Sequence, residues 1–303
     1  MNGWSFAPLL LGLRHAQTVN PLSIFCWAVV TPGTWEEQVL PYFVGTALLR
    51  CDDYALYTNC TSLAGGIRAV KFRDGTMQVP YNKTAMNTAL FIEAYQFMVS
   101  EGRHQQHDWL VKLDVDTVLM VPRLRALLSG FDPEISQALA YGLFRGARPA
   151  GVSRAEILGG PVQPFSRAGF TALVDKQAWC LRHIEDTNKG EDYWIALCCQ
   201  EAGVRFVATP HLLRDSVKDD DACRELAVAF HGYGLKDVRN YISCSLVAWN
   251  MTAHDNADDL LLHRPRQSRA HGSRSVGARL TLWERLRGRL RQELPWSWLR
   301  ISR

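Results

Sequence analysis

Residues 108–120, Asp-Trp-Leu-Val-Lys-Leu-Asp-Val-Asp-Thr-Val-Leu-Met, decide the fold of this chain. Their apolar part, Trp109–Leu113, predicts a buried strand that ends in two carboxylates, Asp114 and Asp116. Because residues i and i+2 of an extended chain point to the same face, we expect the carboxylates to lie side by side. Ligands of open α/β sheets bind at the carboxyl edge, and paired carboxylates suit Mg²⁺ or Mn²⁺ that carries phosphate oxygens. The stretch therefore predicts a metal–diphosphate site.

Strands and helices alternate on both sides of this stretch. Residues 23–30 are a continuous apolar run that predicts a central parallel strand, and Thr34 is the expected N-cap of the next helix. Short strands are predicted at residues 47–51 and 54–58, so the amino end forms a β-α-β unit of an α/β layer fold. Further helices are expected at residues 84–100, 122–128, 166–174 and 190–203, and a strand at 204–208.

Composition and charge divide the chain into a body and a tail. The chain has 303 residues, of which 47% are hydrophobic, a balance typical of a globular protein with a large core. The formal net charge is +4, yet the segment from Arg264 onward holds eleven arginines against two glutamates, so the body is acidic and gives no support to nucleic-acid binding. We predict a remnant of a targeting region at 1–20, one domain at 21–255, and an Arg-rich linker with a basic helix at 256–303.

The basic helix of the tail has two interpretations. Residues 279–294 place Leu282, Leu286 and Leu290 along one helical face, with arginines elsewhere. Such a helix can bind an anionic membrane surface or the groove of a partner. The same pattern is typical of a helix that covers the core and exposes a basic face to solvent. Both interpretations stay open.

The cysteines and sequons favour an oxidising compartment. None of the eight cysteines shows the C-x₂-C spacing of a zinc site. Cys223 with Cys244, and Cys180 with Cys198, are the disulfide pairs to test first, and buried free thiols are the alternative. Three N-glycosylation sequons occur, at Asn59, Asn82 and Asn250. These features indicate the lumen of the secretory pathway, Golgi or ER, although the sequence shows neither a clear signal peptide nor a transmembrane run.

Three further segments carry candidate site residues. The pair Gly159-Gly160 would let the backbone approach a ligand closely, since neither residue has a side chain. Glu191 and Asp192 place two carboxylates at a predicted helix start, and His231 is a candidate nitrogen ligand. Singly, each has an ordinary explanation: a turn, compensation of the helix dipole, and a structural histidine. Their order along the chain is what points to a function.

In that order the segments resemble the fringe and core β1,3-galactosyltransferase families. Residues 109–128 look like their W-x-x-K-x-D-x-D-T strand and the helix that follows, and Gly159-Gly160 with Ser166-Arg167 resembles their glycine-pair segment. Gly190-Glu-Asp resembles their E-D-V segment, and Phe230-His231 resembles their late histidine. The likeness runs from about residue 22 to 245, and it departs from the family pattern at Val115, Tyr193 and Gly232-Tyr233.

The resemblance implies a GT-A fold, an open mixed α/β sheet with helices on both faces. It also implies an inverting enzyme that moves a hexose or N-acetylhexosamine from a UDP-sugar to a hydroxyl of a glycan or protein. The cofactor would be Mn²⁺ or Mg²⁺, with Asp116, Asp114 and His231 as ligands, and the base would be Asp192 or, second, Glu191. The cofactor-binding set adds four residues to the two aspartates: Thr31, Asp53, Gly159 and Gly160.

Two other functions fit parts of the sequence. Residues 114–118, Asp-Val-Asp-Thr-Val, also match the strand end of haloacid-dehalogenase-like phosphatases, in which the first aspartate is a nucleophile beside Mg²⁺. That motif normally opens its domain, whereas two strands and a helix precede it here. A non-catalytic relative that binds a glycan or nucleotide is the other alternative, because fold does not fix function. The intact carboxylates argue against an inactive site.

Overall fold

A computed structural model describes residues 22–250 of the protein, apart from residues 78–80, 83, 86, 142–157, 185–189, 216, 218–222 and 224. The predicted segment at 1–20 and the Arg-rich tail with its amphipathic helix at 256–303 lie outside the described residues, so both stay predictions. Within the described part, none of the helices combines the length and the apolar composition that a membrane crossing requires.

Twelve strands and six helices make up the regular structure of the described chain. The strands are β1 (Ile24–Val29), β2 (Asp53–Thr58), β3 (Val70–Lys71), β4 (Tyr81–Asn82), β5 (Thr84–Ala85), β6 (Trp109–Leu113), β7 (Val118–Leu119), β8 (Gln137–Ala140), β9 (Val162–Ser166), β10 (Arg205–Ala208), β11 (Leu213–Asp215) and β12 (Ala229–His231). The helices are α1 (Glu36–Thr46), α2 (Thr88–Ser100), α3 (Val121–Leu128), α4 (Arg167–His183), α5 (Glu191–Glu201) and α6 (Val238–Asn250).

A seven-stranded mixed sheet forms the centre, in the order β10-β8-β9-β6-β1-β2-β3. Only β9 runs antiparallel to its neighbours in this sheet, and the other described strands share one direction. The carboxyl ends of β1, β6 and β8 and the amino end of β9 therefore meet at the same edge. A smaller sheet, β11-β12-β7, and the hairpin β4-β5 complete the strands of the described residues.

Hydrophobic residues cover both faces of the central sheet. Along β1, Ile24, Cys26 and Ala28 belong to one buried cluster, and Phe25 and Trp27 belong to another, because successive side chains point to opposite faces. The first cluster includes residues of α1, α3, α6 and the small sheet, and the second includes residues of α2, α4 and α5. The predicted α/β class, an open mixed sheet with helices on both faces, is confirmed.

Two local predictions in the amino-terminal unit are wrong. Residues 47–51 do not form a strand: Leu48–Arg50 is a single 3₁₀ turn, in which the amide of Cys51 donates to the Leu48 carbonyl at 3.1 Å. Leu48 is buried in this turn, and Leu49 is 58% exposed. Thr34 does not cap α1 either, since its hydroxyl donates to the carbonyl of Thr31 and closes the preceding turn.

Disulfides tie elements together on both sides of the sheet. Both predicted pairs are present: Cys180–Cys198 joins α4 to α5, and Cys223–Cys244 joins the segment before β12 to α6. A third, Cys26–Cys51, joins β1 to the turn before β2 and was not predicted. The alternative of free thiols holds for two cysteines, Cys60 and the buried Cys199. The oxidised pairs are compatible with the predicted secretory lumen.

Candidate active site

The aspartate pair follows β6, but its backbone is not extended. The strand ends at Leu113, and the amide of Thr117 donates to the Asp114 carbonyl at 3.0 Å, which closes a turn. The expectation of an extended chain at these two residues is therefore wrong, although Asp114 and Asp116 line the same cavity. Instead, the turn sends the two carboxylates to different partners: Asp114 contacts Lys112, and Asp116 contacts His231.

Lys112 joins three segments of the predicted site. Its side chain is fully buried, and its ammonium group donates to Asp114 Oδ1 at 2.5 Å, to Glu191 Oε1 at 2.6 Å and to the Gly160 carbonyl at 2.7 Å. It also lies 4.4 Å from the centre of the Phe91 ring. Burial alone would lower the pKa of the lysine, but the two carboxylates outweigh burial and raise it. Sequence analysis missed Lys112, although its place two residues before Asp114 puts both on one face.

The two acidic residues at the start of α5 differ in burial and in the partners of their carboxylates. Glu191 is buried against Lys112, and its other near contact is the amide of Gln163 at 3.4 Å. Asp192 is half-buried, and its carboxylate accepts a hydrogen bond from the Tyr193 amide at 2.9 Å. Burial and the negative charge of Glu191 raise the pKa of Asp192 to about 6. Of the two predicted bases, Asp192 is thus the one that is less buried.

His231 stands between two carboxylates on the small sheet. Its Nε2 lies 3.4 Å from Asp116 Oδ2, and its Nδ1 lies 2.8 Å from Asp215 Oδ1. Burial would lower the pKa of the imidazole, but the bonds to the two aspartates raise it to about 10. In turn, the bond to His231 lowers the pKa of Asp116 against the effect of burial. Sequence analysis missed Asp215, whose position depends on the pairing of β11 with β12.

The predicted metal ligands Asp114, Asp116 and His231 stay a prediction. The described residues contain no group of three or more His, Cys, Asp or Glu side chains placed to hold a metal ion. Lys112 binds one oxygen of the Asp114 carboxylate, Oδ1, and no hydrogen bond to the other oxygen, Oδ2, is found among the described residues. Asp116 and His231 are an oxygen and a nitrogen donor that suit Mn²⁺. Two protein ligands fit an ion that takes its other ligands from a diphosphate and water, as Mg²⁺ does in phosphate-transfer sites.

A cavity of about 480 Å³ opens beside the aspartate turn. That volume is within the range of small-molecule sites. Its described lining residues come from β1 and the loop after it, from α1, the start of α2, the aspartate turn and the 3₁₀ turn after β12: Val29, Thr31, Thr34, Trp35, Glu36, Asn87, Leu90, Phe91, Asp114, Val115, Asp116 and Lys236. Thr31, which the sequence analysis assigned to cofactor binding, is among them. Burial and the charges of Asp116 and Asp114 raise the pKa of Glu36, a residue that sequence analysis missed, to about 7.

Asp53 is not brought to this site. It begins β2 and pairs in register with Phe25 near the start of β1, so it lies at the opposite edge of the sheet from Asp114. There it forms an ion pair with Arg103 at 3.2 Å. The assignment of Asp53 to cofactor binding is therefore corrected: an aspartate before a parallel strand is placed at the edge away from the ligand.

The two glycines of the pair have different surroundings. A Cβ added to Gly159 would lie 2.0 Å from Tyr141 Cε1, so this glycine makes room for a tyrosine ring rather than for a ligand. A Cβ on Gly160 would lie 3.6 Å from Glu191 Oε1 and 3.8 Å from Asp114 Oδ2, which are ordinary contacts. The role of Gly160 is its carbonyl, which accepts from Lys112.

This difference predicts different effects of the same substitution. Gly159→Ala should lower the free energy of unfolding by about 1–3 kcal/mol, because the Tyr141 ring must move away from the new methyl group. Gly160→Ala is the matched control and should change it little, since the methyl group fits and the carbonyl is kept. Denaturant unfolding of both variants measures this. Equal stability of the two variants would show that the tyrosine ring is not packed against Gly159.

Comparisons with known proteins give a likeness in fold. No protein-family model matches the chain. A glycosyltransferase involved in glycosylation of the major capsid of PBCV-1 is similar at 10% identity and a TM-score of 0.42, over 79% of this chain and 98% of that one. The galactosyltransferase LgtC, in complex with donor and acceptor sugar analogues, is similar at 12% identity and a TM-score of 0.43, over 75% and 96%. A mutant of a Drosophila β1,4-galactosyltransferase 7, in complex with manganese, UDP-Gal and xylobiose, is similar at 12% identity and a TM-score of 0.35, over 62% of this chain and 65% of that one. The identities and TM-scores are too low to assign a donor, a metal or an acceptor to this chain.

Proposed function

We propose that this protein is a metal-dependent glycosyltransferase that moves a sugar from a nucleotide-sugar donor to an acceptor hydroxyl. One observation carries the proposal: Asp114 and Asp116 line a cavity of about 480 Å³, and Asp192 lies next to Asp114 across Gly160 without being among the described residues that line this cavity. A donor in the cavity and a base outside it are the two parts that a direct displacement requires.

The charges of the cavity support a cation-bound diphosphate. Glu36, Asp114 and Asp116 line it, and Lys236 is the one cationic residue among the described lining residues. Carboxylates at this density would repel a diphosphate unless a divalent cation lay between them. Trp35 and Phe91 add aromatic surface on which a nucleobase can pack. The cavity therefore suits a nucleoside diphosphate sugar together with its metal ion.

Asp116 and His231 are the residues that would hold the metal. When bound, Mn²⁺ or Mg²⁺ neutralises the charge that builds on the departing diphosphate. Lys112 neutralises part of the charge of Asp114 and Glu191, so the protein does not place every carboxylate of the site against the phosphates. Lys236, which also lines the cavity, adds positive charge there.

Asp192 is proposed as the base that takes the proton of the acceptor hydroxyl. A Cβ on Gly160 would be 3.9 Å from Asp192 Cβ and 3.8 Å from Asp114 Oδ2, so only the width of this glycine separates the base from the aspartate turn. Asp192 is not among the described residues that line the cavity. Inversion of the anomeric centre is part of the proposal because the resemblance to the fringe and core β1,3-galactosyltransferase families implies it.

The resemblance to the fringe and core β1,3-galactosyltransferase families refines the proposal. It suggests UDP as the nucleotide, a hexose or N-acetylhexosamine as the transferred sugar, and a glycan or protein as the acceptor. Three disulfides and an accessible sequon residue, Asn250, support a location in the lumen of the secretory pathway. A membrane surface, through the tail helix, remains part of the proposal.

The test is release of UDP from a panel of UDP-sugars in Mn²⁺, for the wild type and Asp116→Asn. We expect hydrolysis of one donor, and at least about a tenfold loss of apparent Mn²⁺ affinity in the variant, because an amide is a weaker ligand than a carboxylate. Asp74→Asn, at a fully exposed aspartate, is the matched control and should behave as the wild type.

Other outcomes of this test point to other functions. If no donor releases UDP, and Mg²⁺-dependent release of phosphate from a phosphomonoester is found, the protein would be the phosphatase with Asp114 as nucleophile. Absence of both UDP release and phosphate release would indicate a binding protein. Donor hydrolysis that Asp116→Asn does not alter would remove Asp116 from the metal site.

A further inference from the structure

Each ring nitrogen of His231 has its own carboxylate. Nε2 lies 3.4 Å from Asp116 Oδ2, and Nδ1 lies 2.8 Å from Asp215 Oδ1. The two nitrogens of an imidazole point away from each other, so Asp215 is on the side of the ring that does not face Asp116. Asp215 is therefore not placed to share an ion with Asp116, and its function must be sought in its contact with His231.

The fold holds Asp215 in this position. Asp215 and His231 are register partners in the parallel pair β11–β12, and the amide of Val217 donates to the His231 carbonyl at 3.0 Å. On the other carboxylate oxygen, the hydroxyl of Tyr141 lies 3.5 Å away, and the ring of that tyrosine packs against Gly159. Strand register and a packed tyrosine thus fix the carboxylate before any ligand binds.

A histidine that binds a metal through one nitrogen almost always donates the N–H of the other to a carboxylate, carbonyl or water, which fixes both tautomer and ring orientation. We infer that Asp215 is the positioning residue of His231: it keeps the proton on Nδ1 and aims Nε2 at the ion held by Asp116. Tyr141 in turn positions Asp215. The inference rests on the metal dependence of the proposed function and names residues that serve it.

Binding of Mn²⁺ tests the inference without turnover. Free Mn²⁺, followed by electron paramagnetic resonance in the presence of UDP, gives the affinity of each variant. Asp215→Ala should bind Mn²⁺ about 10–100-fold more weakly, the range for loss of such a partner. Asp215→Asn, which keeps an acceptor oxygen for Nδ1–H, should recover most of the affinity. Tyr141→Phe should lose less than Asp215→Ala, and Asp74→Asn should match the wild type.

A folded Asp215→Ala variant is expected because the aspartate is 41% exposed, and thermal unfolding checks this. Three results would overturn the inference: unchanged Mn²⁺ affinity in Asp215→Ala, a loss in Asp215→Asn as large as that in Asp215→Ala, or no Mn²⁺ binding by the wild type with UDP. An assay of donor hydrolysis distinguishes failure of the positioning role of Asp215 from failure of the proposed transferase function. A wild type that hydrolyses a UDP-sugar equally well in EDTA would keep the transferase and lose the positioning role. Weaker Mn²⁺ binding in Asp215→Ala without hydrolysis of any donor would keep the role and lose the transferase.

Discussion

Replacing Lys112 with Met should lower the free energy of unfolding by about 3–5 kcal/mol, the cost of removing one partner from a buried ion pair. Methionine fills a similar volume, but it leaves Asp114 and Glu191 without the ammonium group that contacts both at 2.5 and 2.6 Å. Glu191 is only 5% exposed, so water cannot replace the lost bond. The Gly160 carbonyl also loses its donor. Chemical denaturation measures the loss.

Two companion variants make this result specific. Lys112→Met combined with Glu191→Gln should be more stable than Lys112→Met alone, because the second change removes one of the unpaired charges. Lys71→Met is the matched surface control: Lys71 pairs with Asp74, but its side chain is 43% exposed, so its loss should have little effect. If Lys112→Met were as stable as the wild type, the lysine would not hold the aspartate turn to α5.

The sequence is sufficient where one local pattern determines the structure. Trp109–Leu113 is a strand with the predicted bounds because five apolar or buried residues follow one another and a turn ends them. The start of α5 is predicted equally well, since the acidic residues Glu191 and Asp192 compensate the helix dipole in its first turn. In both cases the signal comes from neighbours along the chain, and tertiary contacts only reinforce it.

The sequence is insufficient where a residue owes its role to a distant segment. In the sequence, Lys112 is a charged residue that interrupts an apolar strand. Its partners cannot be predicted locally, because only the fold brings Gly160 and Glu191 to the same edge of the sheet as Lys112. Asp215 belongs to a strand of three residues whose pairing with β12 has no pattern of its own. Asp53 was misplaced for a related reason: the sequence shows an acid next to a strand, but only sheet direction tells which edge it occupies.

Asp192→Asn should reduce the rate of transfer to an acceptor by about 10²–10⁴-fold, the usual contribution of a general base. The amide keeps the size of the side chain and can still accept from the Tyr193 amide, so the fold and the donor cavity are retained. Binding of UDP with Mn²⁺ should therefore be unchanged. Acceptor-dependent release of UDP, compared with binding of UDP, measures the two effects separately. Glu201→Gln, an exposed acid at the far end of α5, is the matched control.

The pH dependence gives the same assignment a second test. Burial and Glu191 raise the pKa of Asp192 to about 6, and a base acts only when it is deprotonated. The wild-type rate should thus rise about tenfold per pH unit below pH 6 and level off above it, and Asp192→Asn should lose this rise. Full transfer by Asp192→Asn, with loss of transfer in a folded Glu191→Gln variant, would move the base to Glu191. That outcome would require Glu191 to leave Lys112 during the reaction, because the two are 2.6 Å apart in the structure.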